Sequence, residues 1–334
     1  MLETVYRHHA WRISWRAAAL ACGLLICGGR GPLPVNSASA AAPFAKVAAP
    51  GFFRAMLGRF EITALYDGAQ AVDLVKLLDE PPTNTEVALK SEFLENPVPT
   101  SVNAFLINTG SRLVLVDTGG AGFFGGRLGK LQSNLRAAGY EPDQIDDVLL
   151  THMHRDHIGG LVLNGARAFP NAMIHADRRE SDYWLSKDNL DKAPDGAKAR
   201  FQGVVASLTP YIDAGRYQPF ETDSEIIPGI RSIRSYGHTA GHTAYAVESE
   251  GQLLWLTGDE IVAAAVQLAN PEVATAFDTD GAAAAATREH MLENAAKQRA
   301  LIGAAHLPFP GLGHIGTRGA EWQWVPLDYS AAAP

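Results

Sequence analysis

The chain has 334 residues, of which 47% are hydrophobic and 19% charged, a balance that sets aside an intrinsically disordered chain and is typical of one or two globular domains. Its 28 basic and 36 acidic side chains give a net charge of −8. Because no basic run follows the first forty residues, this acidity argues against nucleic acid as a natural partner.

Residues 1–40 have the pattern of a secretory signal. Three arginines precede an apolar run over 17–29, and small residues follow up to the Ala38-Ser39-Ala40 motif. The apolar run is shorter than the roughly 20 residues that a membrane-spanning helix needs. We therefore expect an exported protein, periplasmic or extracellular, with no stable membrane insertion after signal cleavage.

The two cysteines, Cys22 and Cys27, both lie in this predicted signal. Cleavage would leave a mature chain that cannot form a disulfide. A lipoprotein acylated at one of these cysteines is the alternative. After the signal we expect a flexible lead over 41–51 and one folded domain over 52–334.

Short runs rich in apolar residues, several of them alternating with polar ones, predict strands in both halves of the chain. The first run stops at Asp67-Gly68, which predicts a turn there, and another ends in Asp117 and a glycine turn. The predicted strands are 60–66, 103–108, 112–116, 147–150, 230–236, 244–248 and 253–257.

Helices are predicted between these strands. Leucines recur at helical spacing over 128–135 and stop before Gly139, and 281–302 has the pattern of a long helix. Strand-rich stretches that alternate with helices indicate two sheets with helices outside them.

The densest group of chemically active side chains is the segment Thr151-His152-Met153-His154-Arg155-Asp156-His157. On an extended segment, side chains two apart point to the same side, so His152 and His154 can reach one metal ion. A turn after them would send Asp156 and His157 towards a neighbouring ion. A helical zinc protease spaces its histidines four apart, so this pattern is typical of a loop after a strand.

Imidazole and carboxylate groups are ligands that zinc, iron and manganese accept. Because no cysteine follows the predicted signal, a purely structural zinc site is disfavoured, and we expect a catalytic one. A surface histidine cluster without metal is the less favoured alternative, since the cluster directly follows a predicted buried strand.

Three later residues complete the pattern. His238 lies just past a strand in Gly237-His238-Thr239-Ala240-Gly241-His242, Asp259 follows an apolar strand across Gly258, and His306 follows the predicted long helix. A buried carboxylate at a strand end needs a partner, and a metal pair would supply it. Taken singly, each of these residues also fits a satisfied polar group of the core or of a loop.

The order His-x-His-x-Asp-His, Gly-His, Gly-Asp and a late His resembles the ligand order of the metallo-β-lactamase superfamily over about residues 52–328. The segments 156–161, 208–211 and 301–307 look like those of methyl parathion hydrolases and their lactonase relatives. The resemblance implies an α/β (α+β) chain folded as a four-layer αββα sandwich, with the site at one edge of the paired sheets.

The same resemblance implies two divalent metal ions per chain, with zinc as the first choice and manganese, cobalt or iron as alternatives. One ion would be held by His152, His154 and His238, the other by Asp156, His157 and His306, with Asp259 bridging both.

Five side chains in or beside this ligand set receive further assignments. Asp259 and Asp156 are the expected catalytic carboxylates. His238 rather than His242 is the expected ligand in the Gly-His-Thr-Ala-Gly-His segment, which leaves His242 a structural role. Asp117 is expected to orient a ligand or the metal loop through hydrogen bonds.

Two bound cations lower the proton affinity of a water held between them, so hydroxide could attack an ester carbonyl or a phosphorus centre near neutral pH. Phe124, Trp184 and Phe201 correspond to the aromatic pocket of the methyl parathion hydrolases, although they equally fit ordinary core aromatics. Val262 and Phe277 stand where small changes in the pocket lining would alter preference. We expect a small, neutral, apolar substrate, a lactone or an aryl ester, with organophosphate hydrolysis as a second activity.

Other functions fit the same ligands. A dedicated organophosphate hydrolase is one alternative, and a metal-binding protein without turnover or an iron-dependent thiol oxygenase are two more. The sequence leaves a homodimer as an open option.

Overall fold

The computed structural model describes residues 42, 44–46 and 48–329, so the predicted signal over 1–40 lies outside the described residues. Within them, no helix combines the length and the apolarity needed to cross a membrane. The strands are β1 (Phe52–Leu57), β2 (Phe60–Val72), β3 (Val98–Asn108), β4 (Leu113–Val116), β5 (Asp147–Leu149), β6 (Val162–Leu163), β7 (Ala166–Arg167), β8 (Met173–Asp177), β9 (Tyr217–Phe220), β10 (Glu225–Ile227), β11 (Ile230–Arg234), β12 (Thr243–Ser249), β13 (Gln252–Leu256), β14 (Leu301–Gly303), β15 (Leu312–Arg318) and β16 (Glu321–Pro326). The helices are α1 (Leu74–Leu77), α2 (Pro82–Ser91), α3 (Leu131–Ala137), α4 (Arg155–Ile158), α5 (Arg178–Trp184), α6 (Lys187–Lys192), α7 (Asp195–Ile212), α8 (Ala264–Gln267) and α9 (Gly281–Gln298).

The strands form two seven-stranded sheets and one small hairpin, β6–β7. The first sheet has the order β1-β2-β3-β4-β5-β8-β9, and the second has the order β10-β11-β12-β13-β14-β15-β16. Strands β4, β5, β8 and β9 run parallel to one another, as do β13 and β14. The carboxyl ends of each parallel set therefore meet at one edge of a sheet.

Alternation along the strands divides the interior into layers. In β3, Phe105 and Ile107 pack into the core between the two sheets, whereas Ala104 and Leu106 pack into the core beneath α3 and α7. A third core joins the outer face of the second sheet to α9. Since successive side chains of a strand face opposite sides, this period of two places helices outside both sheets. The α/β fold with four αββα layers is confirmed.

Two element boundaries differ from the sequence-based expectation. Strand β2 does not end at Asp67-Gly68 but continues to Val72 through a bulge at Asp67, where the register with β3 shifts. The Asp67 carboxylate accepts hydrogen bonds from the backbone N–H groups of Gly120 and Leu131, among others. A residue that suggested a turn therefore fastens the loop that follows β4.

The long helix is shorter than expected. Helix α9 ends at Gln298, where Arg299 adopts a left-handed conformation with φ of 53°. Residues 301–303 then form β14, which pairs in parallel with β13. This pairing could not be read from the run of alanines and polar residues before it, because it depends on a strand far away in sequence.

Candidate metal centre

The candidate ligands lie on segments that leave the carboxyl ends of four strands, and two of them, Asp156 and His157, lie in the short helix α4. His152 follows β5, His238 follows β11, Asp259 follows β13 and His306 follows β14. Gly258 makes the last turn of the Asp259 loop feasible, because its φ is 52° and a Cβ there would lie 2.6 Å from the His242 Nε2 atom. The fold thus brings together residues that are more than 150 positions apart in the chain.

The seven predicted ligands converge in two groups. In each group, one donor atom per residue lies within 4.8 Å of all the others. The first group is His152, His154, His238 and Asp259, and the second is Asp156, His157 and His306.

Asp259 lies between the two groups. Its Oδ2 atom is 3.7 Å from His152 Nε2 and 3.3 Å from His238 Nε2. Its Oδ1 atom is 3.0 Å from His157 Nε2 and 3.1 Å from His306 Nε2. Donor atoms about 2.1 Å from a common tetrahedral zinc ion would be about 3.4 Å apart, so these separations suit a carboxylate shared by two cations.

The Nδ1 atoms of His157, His238 and His306 are anchored outside the centre, which leaves their Nε2 atoms for it. His157 Nδ1 lies 2.8 Å from Asp117 Oδ2, His238 Nδ1 lies 2.8 Å from Asp278 Oδ1, and His306 Nδ1 lies 2.8 Å from the Ser101 carbonyl oxygen. Each of these partners accepts, so Nδ1 carries the proton and Nε2 presents a lone pair.

Three of the buried side-chain atoms at the centre lack hydrogen-bond partners. Among the described residues, His152 Nε2, His157 Nε2 and Asp259 Oδ1 are buried without one. A buried polar atom without a partner is costly, and a cluster of lone pairs facing one another is costlier still. The donor set therefore fits divalent cations, which would satisfy all three atoms.

The pKa shifts of the histidines also fit a site for divalent cations. Burial lowers the pKa of His238, but its contacts with Asp259 and Asp278 outweigh burial and raise that pKa to about 9. Burial also lowers the pKa of His152 well below its usual range. The carboxylates thus hold protons on part of the cluster when no cation is bound, and metal binding would release them.

Asp117 connects the metal loop to β4. Its two carboxylate oxygens accept hydrogen bonds from the Thr151 N–H at 2.9 Å and from the Thr151 hydroxyl at 2.8 Å, in addition to the contact with His157. Because the hydroxyl proton is used in this way, Thr151 Oγ1 accepts from His152 Nδ1, 3.0 Å away. One aspartate therefore orients two imidazoles, the role expected of it.

His242 takes no place in either ligand group. Burial lowers its pKa to about 3, so the ring is neutral at pH 7. Its Nδ1 lies 3.0 Å from the Ser235 carbonyl oxygen and donates to it, while Nε2 accepts from the Asp259 N–H, also at 3.0 Å. In the structure His242 fixes the backbone of Asp259.

Sequence reasoning missed Glu180, a fully buried carboxylate of α5. It accepts from the Met153 N–H, the Trp184 indole, the Thr239 hydroxyl and the Gly241 N–H at 2.7–2.9 Å. Burial raises its pKa above the usual range, and the four donors oppose that shift. Glu180 therefore fastens the His152 loop to the His238 loop. Its surroundings in the sequence, a charged run at the start of a helix, indicate only an exposed face.

Asn103 and Asp278 were missed for the same reason. The Asn103 amide donates to the carbonyl oxygens of Ala304 and Leu307, on either side of His306. Asp278 anchors His238 from the segment before α9. Like Glu180, neither belongs to a recognisable motif in the sequence, and only the fold shows what they hold.

A cavity of about 240 Å³ opens above the centre. Asp156, Asp259 and His306 line it on the metal side, and Phe124, Val262 and Phe277 are among the apolar residues of its walls. Arg155 and Arg200 line it as well, and the sequence did not indicate either of them as a pocket residue.

The pocket role predicted for Trp184 and Phe201 is wrong. Both side chains are buried in the core beneath α7, with ring centroids 4.7 Å apart, and neither lines the cavity. Trp184 instead packs edge-on behind His154, with centroids 6.0 Å apart. They are core aromatics, the alternative that the sequence left open.

A family model and a similar solved structure both indicate the same superfamily. Residues 97–306, well over half of the chain, match the family model described as Metallo-beta-lactamase superfamily. The solved structure of hydrolase AbOPH in the beta lactamase superfamily is 34% identical with a TM-score of 0.81, and the match covers 85% of this chain and 100% of that one. The finer likeness to methyl parathion hydrolases stays a prediction.

Lactonases are among the other similar proteins. The structure of AidC, a dizinc quorum-quenching lactonase in complex with a product, is 26% identical with a TM-score of 0.77 over 84% of this chain and 98% of that one. The N-acyl homoserine lactonase AiiA of Bacillus thuringiensis subsp. kurstaki is 27% identical over 165 residues, 44% of this chain. The match spans only 58% of the length of that curated relative.

Proposed function

Because the chain belongs to the metallo-beta-lactamase superfamily, we propose that it is an exported dinuclear metallohydrolase that cleaves lactones and other carboxylic esters. The observation that carries this proposal is the position of Asp259, whose carboxylate lies between the two groups of histidines at the floor of a cavity. The seven ligand side chains, from His152 to His306, are those given above. Zinc is the proposed metal, and export rests on the pattern of residues 1–40.

Two cations bound there would supply an ionised water as nucleophile and would polarise the attacked carbonyl group. The chain itself places its two carboxylates for proton movement. Asp156 and Asp259 both border the cavity, so either can receive the proton that the nucleophile loses and return it to the leaving alkoxide. The buried anchors of the histidines keep this arrangement rigid, which keeps the cost of reorganisation low.

The walls of the cavity support an ester or lactone substrate. Phe124 and Phe277 offer aromatic surface, and Val72, Val102 and Val262 offer aliphatic surface for the apolar part of a small substrate. The similarity to AidC and to the N-acyl homoserine lactonases supports a lactone within this class. We propose a lactone or aryl ester as the main substrate and organophosphate triesters as secondary ones.

The test is hydrolysis of three substrates by the mature protein: dihydrocoumarin, an acyl-homoserine lactone and methyl parathion. We expect turnover of at least one of the two lactones at a higher kcat/KM than methyl parathion. Treatment with a chelator should abolish the activity, and zinc or manganese should restore it, because the nucleophile depends on the cations.

The other outcomes point to other functions. A higher kcat/KM for methyl parathion than for both lactones would indicate a dedicated organophosphate hydrolase. Zinc binding without turnover of any substrate would indicate a metal-binding protein. One iron ion per chain with oxidation of a thiol would indicate an oxygenase on the same fold. Hydrolysis that survives removal of all metal would contradict the proposal.

A further inference from the structure

Two arginines line the cavity above the candidate metal centre, Arg155 of α4 and Arg200 of α7. They stand out because half of the other lining residues are apolar and the chain as a whole is acidic, with a net charge of −8. Among residues 48–329, no carboxylate forms an ion pair with either guanidinium. An arginine that lines a cavity without forming an ion pair needs an explanation.

Arg155 has a structural explanation. Its Nη2 donates to the carbonyl oxygen of Ala199, and its guanidinium lies 5.4 Å from the centroid of the Phe123 ring. It also packs against Gly203, where a Cβ would come within 3.3 Å of Arg155 Nε. These contacts hold the first turns of α7 against the metal loop, although the buried Nε atom has no hydrogen-bond partner among the described residues.

Arg200 has no such explanation. Its side chain makes no hydrogen bond or ion pair with any described residue, and it is exposed at the rim while lining the cavity. It directly follows Ala199, whose carbonyl oxygen Arg155 holds, so the backbone that carries it is fixed. Arg200 therefore presents to a ligand in the cavity a guanidinium that has no partner among the described residues and that is carried on a fixed backbone.

The cavity has few uncharged polar side chains. Gln70 and Thr100 are among its lining residues, and the Thr100 hydroxyl already donates to the Val98 carbonyl oxygen. Guanidinium recognises a carboxylate with several donors in one plane, which a neutral ester oxygen cannot match. A carboxylate is thus the substituent that Arg200 would bind best.

We propose that Arg200 is a specificity-determining residue that selects substrates carrying a carboxylate away from the bond that is cleaved. The inference rests on the proposed esterase function and narrows its substrate class. The ester or lactone bond would lie over the metal centre, and the negatively charged end would lie towards the rim at Arg200.

The test compares two esters that differ only at the end of the acyl chain, 4-nitrophenyl hexanoate and mono-4-nitrophenyl adipate. The wild-type protein should have the lower KM for the adipate. Replacing Arg200→Met should raise the ratio of the adipate KM to the hexanoate KM about tenfold, with kcat for the adipate nearly unchanged, because the contact acts on binding and not on the attacked carbonyl. Arg200→Lys should recover part of the preference.

Lys192→Met is the matched control, since Lys192 is exposed on α6, lies outside the cavity and gives the same change in net charge. It should leave the KM ratio unchanged. A wild-type protein that does not prefer the adipate, or an equal change of both KM values in Arg200→Met, would overturn the inference.

Binding of the two corresponding 4-nitroanilides, measured by calorimetry, separates this inference from the proposed function. If neither ester is cleaved, the proposed function fails for these esters, and tighter binding of the adipate anilide that is lost in Arg200→Met still supports the role of Arg200. Equal binding of the two anilides to the wild type would contradict that role.

Discussion

Replacing Asp259→Ala is expected to reduce the metal content from two ions per chain to one or fewer, and to lower kcat/KM for the best lactone on the order of 10³-fold or more. The reason is its position, since its carboxylate contacts histidines of both groups. Its loss would leave neighbouring cations without a shared negative charge between them. Metal analysis of the purified protein and steady-state kinetics measure the two effects.

Two further variants make the result interpretable. Asp259→Asn keeps the size of the side chain but not its charge, and it should lose metal and activity to a similar extent if charge is what matters. Asp213→Ala, an exposed position at the end of α7, should match the wild type. A folded Asp259→Ala protein with two ions and wild-type activity would remove Asp259 from the site.

Replacing Glu180→Ala is expected to lower the free energy of unfolding of the metal-free protein by about 4 kcal/mol, because four buried donors lose their acceptor and each costs about 1–3 kcal/mol, partly recovered by relaxation. It should also weaken zinc binding, since Met153 and Gly241 lie in the loops that carry His152 and His238. Urea unfolding in the presence of a chelator separates folding from metal binding, and a zinc titration measures the second effect.

Asp182→Ala on the same helix is the control, because Asp182 is exposed and should change stability by less than about 0.5 kcal/mol. Glu180→Gln should fall between the two, since its amide oxygen can still accept from some of the donors. If Glu180→Ala is as stable as Asp182→Ala, the carboxylate does not fasten the two loops.

The sequence was most informative where chemistry depends on local spacing. The segment from His152 to His157 predicted a loop after a buried strand, and β5 ends at Leu149, directly before it. Alternation of apolar residues in β3 indicated strands with two different faces, and those faces lie in two different cores. Family resemblance supplied the grouping of ligands that local spacing could not, and the structure brings the same seven side chains together.

The sequence was least informative where a polar residue acts over a long distance. Glu180 and Asn103 look like ordinary surface residues until the fold places the histidine loops beside them. Asp67 suggested a turn, yet its carboxylate holds a loop from within a continuing strand. Trp184 and Phe201 were ambiguous because an aromatic side chain suits a core and a pocket equally well, and only packing distinguishes the two.

The central claim is that the two groups of ligands hold one cation each, with Asp259 between them. Anomalous diffraction at the zinc absorption edge, from crystals of the zinc-loaded protein, tests it most directly. We expect two peaks, one among His152, His154 and His238 and one among Asp156, His157 and His306, each in contact with an Asp259 oxygen. A single peak, or two peaks of which Asp259 touches neither, would contradict it.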